Sequence, residues 1–115
     1  MKKLDSIKKP ASFNHLQKFG IKYVCPYFII IFAERLEEGK DQYLLGLKVS
    51  KKVGNAVKRN FVKRRYRALM REFTQMNQDN FFLNKYYLFI GRTQALNAEF
   101  TDIKAEFEKA IQFFC

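Results

Sequence analysis

The chain has 115 residues, 48% of them hydrophobic, a size that predicts one domain with one modest core. Twenty-two Lys and Arg against eleven Asp and Glu give a net charge of +11, which indicates a polyanionic partner, nucleic acid before an acidic membrane surface. Cys25 and Cys115 lie far apart without a CxxC motif, so two free thiols are expected rather than a zinc site or a disulfide framework.

The N-terminal segment predicts an arm followed by a short helix. Residues 1–10 are rich in lysine and lack the apolar run of a signal peptide, so we expect a flexible basic arm on a cytoplasmic protein. A helix should follow Pro10, carry Phe13 and Leu16 inward and end at Gly20.

Two strands are predicted next. The β-branched and aromatic residues 23–32 predict a strand that starts on a sheet edge, because Pro26 cannot donate a ladder hydrogen bond. Residues 34–42 predict a polar hairpin loop, and residues 43–49 predict the second strand of the pair. The longest apolar run, residues 27–33, is too short to cross a bilayer, so no membrane association is expected.

The second half of the chain predicts a long helix, a strand and a last helix. The long helix covers residues 56–76, with Asn55 as its N-cap. Residues 77–84 form a turn-rich connection, residues 85–91 form a short apolar strand, and Asn97 caps the last helix. That helix carries apolar residues at helical spacing, namely Phe100, Ile103, Phe107, Ile111 and Phe114.

This order of elements predicts the fold class. Helix, two or three strands, helix, strand and helix indicate an α+β or α/β two-layer sandwich, with a small mixed sheet of about four strands packed against helices. The whole chain, residues 1–115, is expected to form a single nucleic-acid-binding domain.

The strongest physical signal is a run of basic residues between Gln42 and Arg71 that contains no Asp or Glu. Like charges at i,i+4, such as Arg59 with Lys63, oppose the long helix by roughly 1 kcal/mol in total. Helical spacing places Asn60, Lys63, Arg64, Arg67 and Arg71 on one face, next to a core stripe of Val62, Tyr66, Leu69 and Phe73. A solvated face is the alternative, but charge of a single sign favours phosphate binding.

The same region carries a family resemblance. Residues 46–60, GLKVSKKVGNAVKRN, followed by Lys63, Arg64 and Arg67, resemble the signature of the bacterial ribonuclease P protein component. Weaker resemblance covers Ser12-Phe13 and residues 86–92. The resemblance implies a small α/β sandwich with a left-handed βαβ crossover, whereas pattern reasoning alone predicts a right-handed one.

The resemblance also implies the site residues. Those expected to bind RNA, with Arg71 added from the basic face, are Lys51, Lys52, Asn55, Arg59, Asn60, Lys63, Arg64, Arg67 and Arg71. A cleft between the first helix and the sheet is expected to bind the 5′ leader of precursor tRNA, with Phe13, Phe28, Ile31, Lys48 and Arg92 as its residues. One departure stands out: the family usually has a basic residue where this chain has Phe61, and Arg65 and Lys58 are candidates to replace the lost charge.

The function implied is that of the protein subunit of ribonuclease P. In that family an RNA subunit uses Mg²⁺ to remove the leader, so we expect no catalytic residue, metal or cofactor on the protein itself, a monomeric free protein and one protein per RNA. His15, the sole histidine, is expected to be a surface residue rather than a general base.

Two alternatives remain at this point. A ribosomal or general structured-RNA-binding protein fits the charge equally well, and only residues 49–67 separate it from the ribonuclease P assignment. A helix-turn-helix DNA-binding protein is less favoured, because the basic helix follows a strand and a loop.

Overall fold

The computed structural model describes residues 3–6, 10–34, 42–76 and 85–114. The elements in chain order are β1 (Lys3–Ser6), α1 (Pro10–Phe19), β2 (Ile21–Val24), β3 (Phe28–Glu34), β4 (Gln42–Lys48), α2 (Ala56–Met76), β5 (Lys85–Gly91), a 3₁₀ turn (Thr93–Ala95) and α3 (Phe100–Phe114). The predicted bounds of α1, α2 and β5 are confirmed. Most of the predicted loop 34–42 and the whole predicted connection 77–84 lie outside the described residues.

The sheet has five strands in the order β1-β4-β5-β3-β2. β5 pairs parallel with β4 and antiparallel with β3. The predicted hairpin between β3 and β4 is therefore wrong, because β5 lies between them. Its side chains explain the position: Tyr87 and Phe89 are buried on one face, and Tyr86 and Leu88 on the other. A strand that is apolar on both faces belongs in the middle of a sheet.

Residues 23–32, predicted as one strand, belong to an antiparallel hairpin of β2 and β3. The chain turns at Pro26 and Tyr27, where the Cys25 amide donates a 3.0 Å hydrogen bond to the Phe28 carbonyl. Proline suits this place because its fixed φ fits a turn and its missing N–H costs no ladder bond there. The edge position predicted from Pro26 is confirmed, since β2 is an outer strand.

The other outer strand corrects the prediction of a flexible arm for residues 3–6. Lys3–Ser6 pairs parallel with β4 and adds a fifth strand to the four expected. Backbone pairing along an open edge needs no particular side-chain pattern, so a lysine-rich composition could not reveal it.

Helices cover both faces of the sheet unequally. α2 and α3 pack on one face, where the predicted core residues Val62, Tyr66, Leu69 and Phe73 are all buried. On the opposite face Leu16 of α1 packs with a smaller cluster, which consists of Ile31, Ala33, Tyr86 and Leu88. The α+β sandwich is confirmed. None of the described helices is long and apolar enough to span a membrane.

α2 connects the parallel neighbours β4 and β5, which makes a βαβ unit. The left-handed crossover implied by the resemblance stays a prediction. α3 begins later than predicted, because the Glu99 carbonyl accepts its first helical bonds from the amides of Asp102 (3.1 Å) and Ile103 (3.2 Å). Glu99, not Asn97, therefore holds the N-cap position.

Candidate nucleic-acid interface

The start of α2 is fixed by Gly54 and Asn55. Gly54 has φ +150°, and a Cβ there would lie 2.7 Å from Cδ of Lys58, so glycine suits this turn. The Asn55 Oδ1 atom accepts a 3.0 Å hydrogen bond from the Lys58 amide, which confirms the predicted N-cap. Lys51 and Lys52 are exposed in the turn just before this point, so they extend the positive charge beyond the helix.

The predicted basic face lies along the exposed side of α2. Asn60, Arg64, Arg67 and Arg71 are exposed and Lys63 is half-buried. From Asn60 to Arg71 this face is about 16 Å long at 1.5 Å per residue. Because a helix that continues from Ala56 to Met76 keeps these residues on one side, they share one surface, as predicted.

The charge of α2 is barely neutralised within the protein. The helix carries seven Lys and Arg residues but one acidic residue, Glu72, whose carboxylate lies 3.1 Å from the Lys104 ammonium of α3. Among the described residues, none of the basic side chains of α2 forms an ion pair with a carboxylate. An external anion is therefore the natural partner of this face.

Two arginines of α2 differ from the others. Arg59 is half-buried beside the core stripe, and its Nε is buried with no partner in the described part of the chain. Arg65 donates from Nη1 to the Ala98 carbonyl and, at 3.4 Å, to the Ala95 carbonyl. Its guanidinium also lies 4.7 Å from the ring centroid of Phe61. Arg65 thus ties α2 to the segment before α3 and does not replace a charge on the basic face.

A second surface lies on the opposite face of the sheet, where α1 ends. One cross-strand row contains Lys48, Ile90, Ile29 and Val24 in register. Lys48 is exposed, Ile90 and Ile29 are half-buried, and Val24 is 55% exposed. Arg92 is exposed in extended backbone just past the end of β5, so it lies at the end of this row rather than within it. We call these five residues the sheet strip.

The structure distributes the predicted cleft residues differently. Lys48 and Arg92 belong to the sheet strip, and Ile31 is buried beneath α1 on the face that carries Ile29 and Ile90. Phe28 is 0% exposed on the other face, with ring centroids 6.1 Å from Tyr66 and 5.5 Å from Phe89.

The prediction that Phe28 is a cleft residue is therefore wrong. Phe28 is a core residue whose ring no base can reach. The side chain of Phe13 lies outside the described residues. Ile29, Ile90 and Val24 were missed by sequence reasoning, because their register with Lys48 comes from strand pairing that the sequence does not reveal.

The ionisable groups outside these surfaces have structural roles. His15 donates from Nε2 to the Glu34 carbonyl at 3.0 Å, which fastens α1 to β3. Burial raises the pKa of Cys25, and burial also raises the pKa of Tyr66, whose hydroxyl donates to the Tyr27 carbonyl at 2.6 Å. Within the described ranges, no three His, Cys, Asp or Glu residues come together in a way that could hold a metal ion.

An α+β domain with a positively charged helix, and with a partly apolar strip between exposed cations on its sheet, is a nucleic-acid-binding protein. Its sequence matches the family model described as Ribonuclease P over residues 1–114. The chain belongs to the ribonuclease P protein family.

Relatives and solved structures agree with this assignment. A ribonuclease P protein component from Listeria monocytogenes serotype 4b is 35% identical over 105 residues, which cover 90% of this chain and 82% of the relative. A ribonuclease P protein component from Helicobacter pylori strain Shi470 is 32% identical over an alignment of 124 residues. The alignment covers 92% of this chain and 74% of the relative.

The RNase P protein of Staphylococcus aureus superposes with a TM-score of 0.75 at 29% identity, covering 94% of this chain and 93% of that one. The RNase P protein of Thermotoga maritima superposes with a TM-score of 0.72 at 19% identity, covering 91% of this chain and 93% of that one. At this identity the likeness concerns the fold alone. The family assignment makes this chain a ribonuclease P protein component with an RNA partner, and nothing favours the ribosomal alternative.

Proposed function

We propose that the RNA subunit of this ribonuclease P hydrolyses the phosphodiester bond, while this chain binds that RNA through α2 and the 5′ leader of precursor tRNA through the sheet strip. The basic face of α2, without carboxylate partners among the described residues, is the observation that carries the proposal. Phosphates there would remove the like-charge repulsion within the helix and meet the positive end of its dipole.

RNA binding is proposed for all nine residues expected from the sequence. Seven of them have exposed side chains: Lys51, Lys52, Asn55, Asn60, Arg64, Arg67 and Arg71. Lys63 and Arg59 are half-buried, so only the exposed parts of their side chains are available to RNA. Asn55 already caps the helix with its oxygen, so its amide nitrogen is the group left for RNA.

The sheet strip suits a single-stranded leader. It crosses four strands, which at about 4.8 Å between neighbours makes it about 14 Å wide. Lys48 and Arg92 supply cations, while Ile90, Ile29 and Val24 supply an apolar floor. Aliphatic side chains stack on bases less well than aromatic rings do, so phosphate contacts should dominate and preference for the leader sequence should be weak.

Mg²⁺ belongs to the RNA subunit in this proposal. The protein lowers the repulsion between leader and RNA phosphates, which reduces the Mg²⁺ concentration that the complex requires. We further propose that one copy of this chain joins each RNA, that the free protein is a monomer, and that it acts in the cytoplasm.

Reconstitution with the cognate catalytic RNA tests the division of labour. Cleavage of precursor tRNA should be much faster with the protein at low Mg²⁺, and the advantage should shrink as Mg²⁺ rises. No gain from the protein at any Mg²⁺ concentration would overturn the proposal.

Leader binding is tested by changing the two cations of the sheet strip. Lys48→Ala with Arg92→Ala should weaken binding of precursor tRNA to the holoenzyme and leave binding of mature tRNA unchanged. Lys109→Ala is the matched control, because Lys109 is an exposed cation on α3 that lies 3.4 Å from Glu106. Equal losses for precursor and mature tRNA would refute the leader assignment.

A further inference from the structure

An apolar stripe interrupts the charged surface of α2. Val57 and Phe61 stand at i and i+4 and form this stripe, and Arg64, at i+7, lies where the stripe meets the basic face. Val57 is 75% exposed and Phe61 is half-buried. The core stripe runs along the other side of α2 through Val62 and Tyr66, so the core of the described residues does not account for an apolar stripe here.

The ring of Phe61 is held in place by the two arginines that follow it. The Arg65 guanidinium lies 4.7 Å from the ring centroid and is itself fixed by the carbonyls of Ala95 and Ala98. The Arg64 guanidinium lies 5.8 Å from the same centroid and is exposed. A ring fixed in this way loses little conformational entropy when a ligand packs on it.

We propose that Val57, Phe61 and Arg64 form a stacking site for one unpaired nucleobase of RNA. A base offers a flat π surface to the ring and the guanidinium, and its flanking phosphates offer negative charge to the basic face. RNA brings both features at once, which a hydrophobic protein partner does not. The inference rests on the proposed function insofar as that function makes RNA the ligand of α2.

The position of the stripe indicates which RNA supplies the base. α2 packs on one face of the sheet, whereas the sheet strip proposed for the leader lies on the other. The base therefore comes from the catalytic RNA.

A tryptophan reporter tests the stacking contact directly. The chain contains no Trp, so Phe61→Trp introduces a single fluorophore. Titration with catalytic RNA should quench its emission, and titration with a leader oligonucleotide should not. Phe113→Trp is the matched control: Phe113 is 58% exposed on α3, with its ring centroid 5.7 Å from that of Tyr23. Equal quenching at both positions, or none at position 61, would overturn the proposal, and quenching by the leader alone would overturn its assignment to the catalytic RNA.

Affinity measurements separate stacking from charge and from stability. Phe61→Leu keeps an apolar side chain against Arg65 but removes the ring, and it should weaken binding of catalytic RNA about five- to a hundredfold with an unchanged salt slope. Wild-type affinity in Phe61→Leu would refute stacking. Failure of the wild-type protein to bind the RNA would instead refute the proposed function, so the two failures are distinguishable.

Discussion

Replacing Arg64 and Arg67 together with alanine should weaken RNA binding and make it less dependent on salt. Both side chains are exposed on the same face of α2, and within the described ranges neither has a carboxylate partner. The folded protein therefore loses little when they are removed, and alanine is a good helix former. The loss should fall almost entirely on the complex.

The size of the effect follows from counterion release. Each phosphate contact contributes about 0.7 to 0.9 to the slope of log affinity against log salt, so two lost contacts should reduce that slope by about 1.4 to 1.8. Between 50 and 200 mM salt, the ratio of wild-type to variant affinity should then fall by about tenfold. Dissociation constants for the catalytic RNA, measured over a salt series, check both quantities.

The matched control is Lys104→Ala with Lys109→Ala, which removes the same charge from α3. These lysines lie 3.1 Å from Glu72 and 3.4 Å from Glu106, so their charges are already partly neutralised, and such exposed pairs contribute about 0–1 kcal/mol to stability. The control should change the salt slope much less. Equal slope changes in both double variants would mean that net charge alone matters, and would refute the assignment of phosphate contacts to the basic face.

Three further changes test the contacts around α2 and the core. Asn55→Asp should keep the cap on the Lys58 amide and raise the unfolding free energy by about 0.5 kcal/mol, while its charge weakens RNA binding; undiminished binding would mean that no phosphate lies near this helix end. Arg65→Met should lower the unfolding free energy by about 1–3 kcal/mol without changing the salt slope, and a reduced slope with intact stability would contradict its structural role. Burial raises the pKa of Cys25, so less of its reactive thiolate is present at a given pH. In a Cys115→Ser variant, a thiol reagent at pH 8 should therefore react slowly with the native protein and rapidly after unfolding. Rapid reaction of the native protein would contradict the burial of Cys25.

The ends of α1 and α2 could be predicted from sequence because local chemistry marks them. Pro10 and Gly20 bound α1, and Asn55 caps α2 with the hydrogen bond that its residue type favours. The order of the strands could not be predicted in the same way. No local sequence feature predicts that β5 pairs with both β3 and β4, because strand pairing depends on residues far apart in the chain.

The basic face of α2 and the sheet strip differ in the same way in how far the sequence predicts them. On α2 the charged and apolar residues alternate with helical period, so the basic face could be derived before the structure was known. β3 is apolar on both of its faces, so alternation divides Phe28 from Ile29 but does not tell which of them faces α1. The register with Lys48, at the end of β4, is the missing information, and only the folded sheet supplies it.

The central place of β5 has a consequence for biosynthesis. The ribosome makes β3 and β4 first, yet the strand that joins them is added only when residues 85–91 follow α2. Until then the two apolar strands have no shared neighbour, and unpaired strand edges of this kind promote aggregation. A polypeptide that terminates before residue 85 lacks the central strand of its sheet. Such incomplete products should be cleared by proteases rather than compete with the finished protein for RNA.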